Sequence, residues 1–308
     1  MRLTRLAMVL VFALFLAASC GEEEEAVTVD LSRREEPTMA ASKGAVTYAY
    51  LPQYSHTVSF QRHRRLIAYL EQQTGRAIQQ VFPDTFDQFV TMFGQGEIDI
   101  AFSNPFIYVR ISDRYGARAF ARAIEPSGPG FRGQIICRAD NRTIKSIEDV
   151  RGRSWIAVDP FSAGGYLFPL GYFLEHGITR RDFAEIAFSP GPGGKQEKVV
   201  LAVLAGKYEI GSIREGTLEV LGDKIDREEI RILAYTPSYP GWVYSAGPNL
   251  RQEDRDVLLK AMLALDPADP DQAAILDAAG FKKLVPCSDG EYDPVRRLIE
   301  IVAQSKGR

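Results

Sequence analysis

From Ala45 onward the chain repeats one unit: a short apolar run, a break at Pro, Gly or Ser, then a segment with apolar residues at helical spacing. Strands and helices in strict turn pack as α/β layers, and the sheets are expected to be largely parallel. "AVTYAYLP" reads as a strand closed by Pro52. "SFQRHRRLIAYLEQQTG" reads as a helix with Phe60, His63, Ile67 and Leu70 on one face and Gly75 as its stop. "FDQFVTMFGQG" repeats the pattern with Phe86, Phe89, Val90 and Phe93, and "EIDIAFSNP" is a strand that delivers Ser103 and Asn104 at its carboxyl end before a helix from Pro105. Around "FRGQIICRADN" the register changes. "SIEDVRGRSWIAVDP" gives a short capped helix and a new strand, "KQEKVVLAVLAGKYEIGSI" another helix and strand, and "IRILAYTPSYPGWVYSAGPNL" two strands about a Pro-rich corner. The remaining tail is helical.

One internal echo supports two lobes on a common plan. "GEIDIAFS" (96–103) and "GKYEIGSI" (206–213) share a Gly, an acid, an Ile and a small residue, each after a helix rich in apolar residues. Asp99 and Glu209 are the matched acids. Between such lobes the stretch "DPFSAGGYLFP" sets Ser162, Ala163, Gly164 and Gly165 between an apolar strand and a helix. A helix starting near Gly164 aims unpaired N–H groups and the positive end of its dipole at the preceding loop, which suits an anion. A tight strand-to-helix turn that needs small residues, with Ser162 as its cap, fits the same letters.

Before residue 45 the chain reads as an export segment. Arg2 and Arg5 precede an apolar run from Leu6 to Ala18 that ends in "LAASC", too short for a membrane-spanning helix of about 20 residues. The charged and then small-polar stretch after it suits a flexible tether. The formal charge of −3 lacks the basic excess that nucleic-acid binding requires, so nucleic acid is not an expected partner. Cys137 and Cys287 lie far apart in unlike contexts and are expected to be separate thiols.

The order "TYAYLPQYS", "LIAYLEQQTG", "GEIDIAFSNPFIYV", "IEDVRGRSWIAVDPFSAGGYLFP", "VVLAVLAGKYEIG" and "AYTPSYPGW", behind an export signal, resembles the PhnD-like phosphate/phosphite/phosphonate solute-binding proteins of bacterial ABC transporters. "LAASC" likewise resembles a lipobox, with Cys20 as the lipidated residue. The resemblance implies an α/β fold: the two-lobed periplasmic-binding-protein type II (Venus flytrap) fold with two crossing strands. The expected division is a lipoprotein signal peptide at 1–19, a tether at 20–44, lobe 1 at 45–135 plus 240–308, and lobe 2 at 136–239. It further implies a monomer held on the periplasmic side of a bacterial membrane by lipid, closing on a small oxyanion and delivering it to an ABC permease. A sensory or scaffold lipoprotein of the same fold, signalling to a membrane kinase, is the alternative.

Carried over position by position, the family's Ser-rich stretch falls on Ser162, Ala163, Gly164 and Gly165, where one hydroxyl is retained. Its usual His-Asp falls on Gln196 and Glu197, and its usual Asp on Glu209. Aromatic positions fall on Tyr54 and Tyr108, which either close over the ligand or pack a lobe; across the crevice from the glycine loop, Ser103 and Asn104 at a strand end read as ligand donors or as an ordinary turn before Pro105. A carboxylate at 209 facing an anion favours a protonated or zwitterionic ligand; a solvated strand end is the other reading. Arg214 is expected to pair with neighbouring Glu215 or to neutralise the anion, and Arg62 and Arg132 are further cations within reach. No catalytic residue, metal or cofactor is called for: His56, His63 and His176 are scattered, and "GPGGKQE" lacks the spacing and hydroxyl of a phosphate-binding loop.

Overall fold

In the computed structural model, which describes residues 44–192 and 195–305, the apolar runs form two separate sheets. The leader, Cys20 and the tether up to residue 43 lie outside the described residues. The chain runs β1 (Val46–Tyr50), α1 (His56–Thr74), β2 (Ile78–Val81), α2 (Phe86–Gly94), β3 (Ile100–Ser103), α3 (Pro105–Tyr115) and β4 (Arg118–Ile124). It crosses through β5 (Gly130–Phe131) to β6 (Gly133–Arg138), β7 (Ser154–Ala157), α4 (Phe168–Glu175), β8 (Glu185–Phe188), α5 (Lys195–Leu204), β9 (Ile210–Arg214), α6 (Thr217–Leu221) and β10 (Ile230–Tyr235). It returns through β11 (Tyr239–Pro240) to β12 (Val243–Ala246), α7 (Gln252–Leu263), α8 (Pro270–Ala279), β13 (Lys283–Pro286) and α9 (Asp293–Gln304).

The strand orders are β13-β4-β12-β3-β1-β2 in one sheet and β10-β6-β9-β7-β8 in the other. The two crossings pair with each other as the β5–β11 ribbon, Phe131 opposite Tyr239. Only β1–β2, β1–β3, β7–β8 and β7–β9 are parallel, so the expectation of largely parallel sheets is corrected to mixed ones. Parallel neighbours need a helical crossover, whereas β6 and β12 arrive from the opposite lobe and lie antiparallel to β9 and β3.

Local signals set the element ends. Gly75 terminates α1 in the left-handed region at φ 65°, and Asn104 Oδ1 caps α3 by accepting the Ile107 N–H at 2.9 Å, with Pro105 next in the first turn. The buried face of α1 is Ser59, His63, Leu66, Ile67 and Leu70. Phe60, expected on the same face, is instead 46% exposed at the edge of it. Phe86, Phe89, Val90 and Phe93 are all buried.

The echoed acids are matched in structure. Asp99 accepts the Thr47 N–H at 2.8 Å and its own N–H donates to Thr47 Oγ1 at 2.9 Å. Glu209 accepts the Ser154 N–H at 3.1 Å and its N–H donates to Ser154 Oγ at 3.0 Å. Each acid therefore clamps the amino end of the neighbouring parallel strand. Glu209 also takes Arg153 Nη1 at 2.9 Å. Its expected ligand role is corrected: the acid precedes β9, at the end of the strand opposite its carboxyl terminus.

The last helix is shared between lobes. Arg296 of α9 bonds Asp113 of α3, while Leu298 packs on Gly171 of α4, where a Cβ would stand 2.4 Å from Leu298 Cδ1. Cys137 and Cys287 are free thiols. Among the described residues no helix is long and apolar enough to cross a membrane.

Candidate functional site

The carboxyl ends of β1, β3, β7 and β9 bring Gln53–Tyr54, Ser103–Asn104, Asp159–Gly165 and Arg214 to the region between the sheets. The loop after β7 starts as a π turn, Ala163–Leu167, in which the Leu167 N–H donates to the Ser162 carbonyl at 2.9 Å. Ser162 Oγ accepts the Gly165 N–H at 3.1 Å, and the Gly165 carbonyl is held by Ser212 Oγ at 2.7 Å. The Ala163 and Gly164 N–H groups find no acceptor among the described residues. Close packing accounts for both glycines: a Cβ at Gly164 would lie 2.9 Å from Phe131 Cζ and 3.0 Å from Arg214 Cβ, and one at Gly165 would lie 2.3 Å from Val158 Cγ2. Ser162 and Ala163 are 1% exposed or less, and Gly164 and Gly165 are buried beside them. The expectation that this loop lines an open gap is thus corrected: its amides lie beneath Phe131 and Arg214.

The centre of the interlobe region is Arg214 itself. One Nη2 meets both Glu125 carboxylate oxygens at 2.9 Å, and Nη1 reaches Gln53 Oε1 at 3.3 Å. Both charged side chains are 11% exposed. Glu125 follows β4 in the first lobe, so the pair ties the lobes together. The guanidinium also lies 5.6 Å from the Phe131 ring and 5.7 Å from the Trp242 ring. Burial is the largest influence and opposes its charge, but the facing Glu125 carboxylate together with the Tyr54 and Tyr50 hydroxyls holds it above the ordinary arginine value. The Glu215 carboxylate does not pair with Arg214, whose Nε donates only to the Glu215 carbonyl, at 3.4 Å. Successive strand residues point to opposite faces, and Glu215 instead takes Arg132 at 2.7 and 2.9 Å.

Further contacts cross between the lobes. Asn104 Nδ2 donates to the Phe161 carbonyl at 3.4 Å, and the Arg110 guanidinium sits 3.7 Å over the Phe161 ring. Lys195 forms a buried ion pair with Asp159 and lies 5.6 Å from the Phe86 ring. Within the first lobe, Arg62 Nη2 donates to the Ala279 carbonyl at 2.7 Å and its guanidinium covers the Tyr54 ring at 5.0 Å.

Open space lies on the other side of Arg214. A cavity of about 360 Å³ is walled by Gln53, Tyr54, Val58 and Arg62 from the first lobe and by Gln196, Thr217 and Val220 from the second. One of about 400 Å³ joins Tyr54, Arg62, Glu125, Gln134, Arg214 and Tyr235. A third, about 430 Å³, includes Tyr54, His56, Asp84 and Lys198. Tyr54 lines all three and Gln196 the first, whereas Ser103, Asn104 and residues 162–165 line none of them. Unpartnered buried polar atoms mark the same region: Arg62 Nε, Gln196 Nε2, Thr217 Oγ1 and Gln134 Oε1, with Ser103 Oγ and Trp242 Nε1 deeper in. Gln196 Oε1 accepts the Arg214 N–H at 3.0 Å, which fixes the amide and leaves its NH2 free.

Tyr108 belongs to packing rather than to the site, a further correction. It is fully buried on α3, its hydroxyl donating to Asp289 Oδ1 at 2.5 Å and accepting the Ala119 N–H at 3.2 Å. The residues that sequence reasoning missed are Glu125, Gln53, Trp242 and Thr217. Glu125 is 89 residues from its partner, and no local pattern links the two.

Two mixed sheets joined by paired crossing strands, with strand carboxyl ends converging on a gap, define the two-lobed periplasmic-binding-protein fold of type II. Within it, the chain belongs to the family described as the periplasmic substrate-binding protein of phosphonate ABC transporters, whose model matches residues 48–292. A phosphate-import protein, PhnD, from Mycolicibacterium smegmatis is 26% identical over 298 residues, covering 89% of this chain and 92% of that one. Among solved structures, a binding protein component of an ABC phosphonate transporter from Pseudomonas aeruginosa is similar at TM-score 0.74 and 20% identity, covering 85% of this chain and 87% of that one. PhnD1 from Prochlorococcus marinus, in complex with methylphosphonate, is similar at TM-score 0.75 and 15% identity, covering 84% and 98%.

Proposed function

We propose that this chain is the lipid-anchored solute-binding component of an ABC transporter, capturing a small oxyanion of the phosphate, phosphite or phosphonate type between its lobes and presenting it to a permease. One observation carries the reading: donors without a protein partner, Arg62 Nε, Gln196 Nε2 and Thr217 Oγ1, gather from both lobes beside the buried guanidinium of Arg214. Each donor left unmatched in the interior costs about 1–3 kcal/mol, which an anion bound among them recovers. The lobes divide at 135/136 and 239/240, and closure turns on the crossings. A ligand that touches both lobes favours the closed state by its differential affinity.

In this reading the first contacts are Tyr54, Arg62, Gln196 and Thr217, with Arg214 behind them. Ser103, Asn104 and the amides of Ala163 and Gly164 become accessible only if Arg214 swings aside as the lobes open. The anchor is Cys20, and the tether up to residue 44 holds the lobes off the bilayer. A melting-temperature panel of phosphate, phosphite and methylphosphonate tests the binding claim. At 100 times Kd a ligand adds about 2.7 kcal/mol. A shift with at least one of them is expected, and no shift with any overturns oxyanion capture. Cys20→Ser is expected to release the protein from membranes in a fractionation assay; retention in the membrane fraction contradicts the lipid anchor.

A further inference from the structure

Resting on the oxyanion reading, we infer that the natural ligand carries an apolar, ring-sized substituent on its phosphoryl or phosphonyl head, seated in the cavity between α1 and α6. The cavity of about 360 Å³ corresponds to roughly a dozen waters at ~30 Å³ each. A bare tetrahedral oxyanion has five heavy atoms and leaves most of that space unfilled. Cavities of this size ordinarily hold organic ligands, with apolar walls and a few placed polar groups.

The lining has that composition. Gln196 and Thr217 are 5% and 4% exposed, and each turns an unpartnered polar atom toward the head group's region together with Arg62 Nε. The apolar walls are the Tyr54 ring, Val58, Val220 and Leu221, and Gln53, Ser55, Glu197 and Lys224 complete the rim. Val58 is 40% exposed on α1 and Val220 is 57% exposed on α6, so apolar side chains from opposite lobes line one space. An apolar group bridging Val58 and Val220 removes both from water and adds a contact available only when the lobes are closed. Phosphate alone reaches the donors and leaves these walls wet.

The test is a calorimetric titration of the full chain with inorganic phosphate, methylphosphonate and phenylphosphonate. Phenylphosphonate is expected to bind at least about tenfold more tightly than methylphosphonate, the ratio that burial of a ring face supports. Val220→Asn, at a position exposed enough to leave the fold intact, is expected to pull the phenyl-to-methyl affinity ratio toward one. Equal wild-type affinities, or a ratio unmoved by Val220→Asn, overturn the apolar-substituent inference while leaving oxyanion capture standing. Absence of binding by all three compounds overturns the oxyanion reading itself.

Discussion

Glu125→Gln is the substitution that most exposes how the lobes are held. Glu125 and Arg214 are each 11% exposed and meet bidentately at 2.9 Å. Removing one charge of a buried pair costs about 3–5 kcal/mol, because the remaining charge stays in the interior uncompensated. The glutamine oxygen still accepts one hydrogen bond and Gln53 Oε1 stays near at 3.3 Å, so the lower end, about 3 kcal/mol, is the expected loss. For a chain of this size that is a fall of roughly 6–12 °C in Tm. Ligand reverses the sign of the effect. An oxyanion no longer competes with Glu125 for the guanidinium, so methylphosphonate binds the variant more tightly, by up to about 150-fold if the whole ~3 kcal/mol is recovered. Scanning fluorimetry with and without ligand, and calorimetry, read both quantities. A variant that melts within about 1 °C of the parent and binds with the same Kd would show that the pair neither latches the lobes nor adjoins the ligand.

Glu209→Gln and Asp99→Asn each remove a carboxylate from a strand clamp, and each is expected to lower stability by about 1–3 kcal/mol in urea unfolding while leaving oxyanion affinity within about twofold. A Glu209→Gln protein of parental stability that no longer binds would return this acid to the cleft. Gly133→Ala places a Cβ 2.3 Å from the Gly164 carbonyl oxygen and is expected to destabilise by about 1–3 kcal/mol; an unchanged urea midpoint contradicts the packing account of the loop. His63 is buried with its Nδ1 2.8 Å from the Tyr48 hydroxyl, and burial, reinforced by Arg62, lowers its pKa to about 3. Its folded value lies below its unfolded one of about 6.5, so its contribution is full above pH ~6.5 and is lost as pH falls toward 3, at up to about 1.4 kcal/mol per pH unit. His63→Phe should flatten stability against pH in that window, and an unaltered slope argues against a neutral buried ring.

Much of the architecture was legible from local chemistry. The helical faces around Phe86 and His63, the stop at Gly75 and the cap at Asn104 are written in a few adjacent letters, and their energetics are equally local. The echo of Asp99 and Glu209 correctly marked two lobes on one plan but misled about place, since a matched pair of acids says nothing about which end of a strand each occupies. The interlobe site was less readable. Arg214 was visible as a cation, and alternation along β9 already forbids it from facing the side of Glu215. Its true partner, Glu125, closes a turn after β4, a strand whose small and basic letters carry no apolar run. Likewise the glycines at 164 and 165 have one signature for a ligand cradle and for tight packing, and only the positions of Phe131 and Val158 decide between them. Tyr108 could not be assigned from its helix alone, because its hydroxyl partner arrives 181 residues later.

The most direct test of interlobe oxyanion capture is a native mass spectrum of the full chain, purified without refolding, before and after methylphosphonate is added. The account predicts one added mass per chain, either a phosphorus-bearing molecule carried through purification or methylphosphonate itself. A chain that stays at its bare protein mass under ligand excess would contradict it.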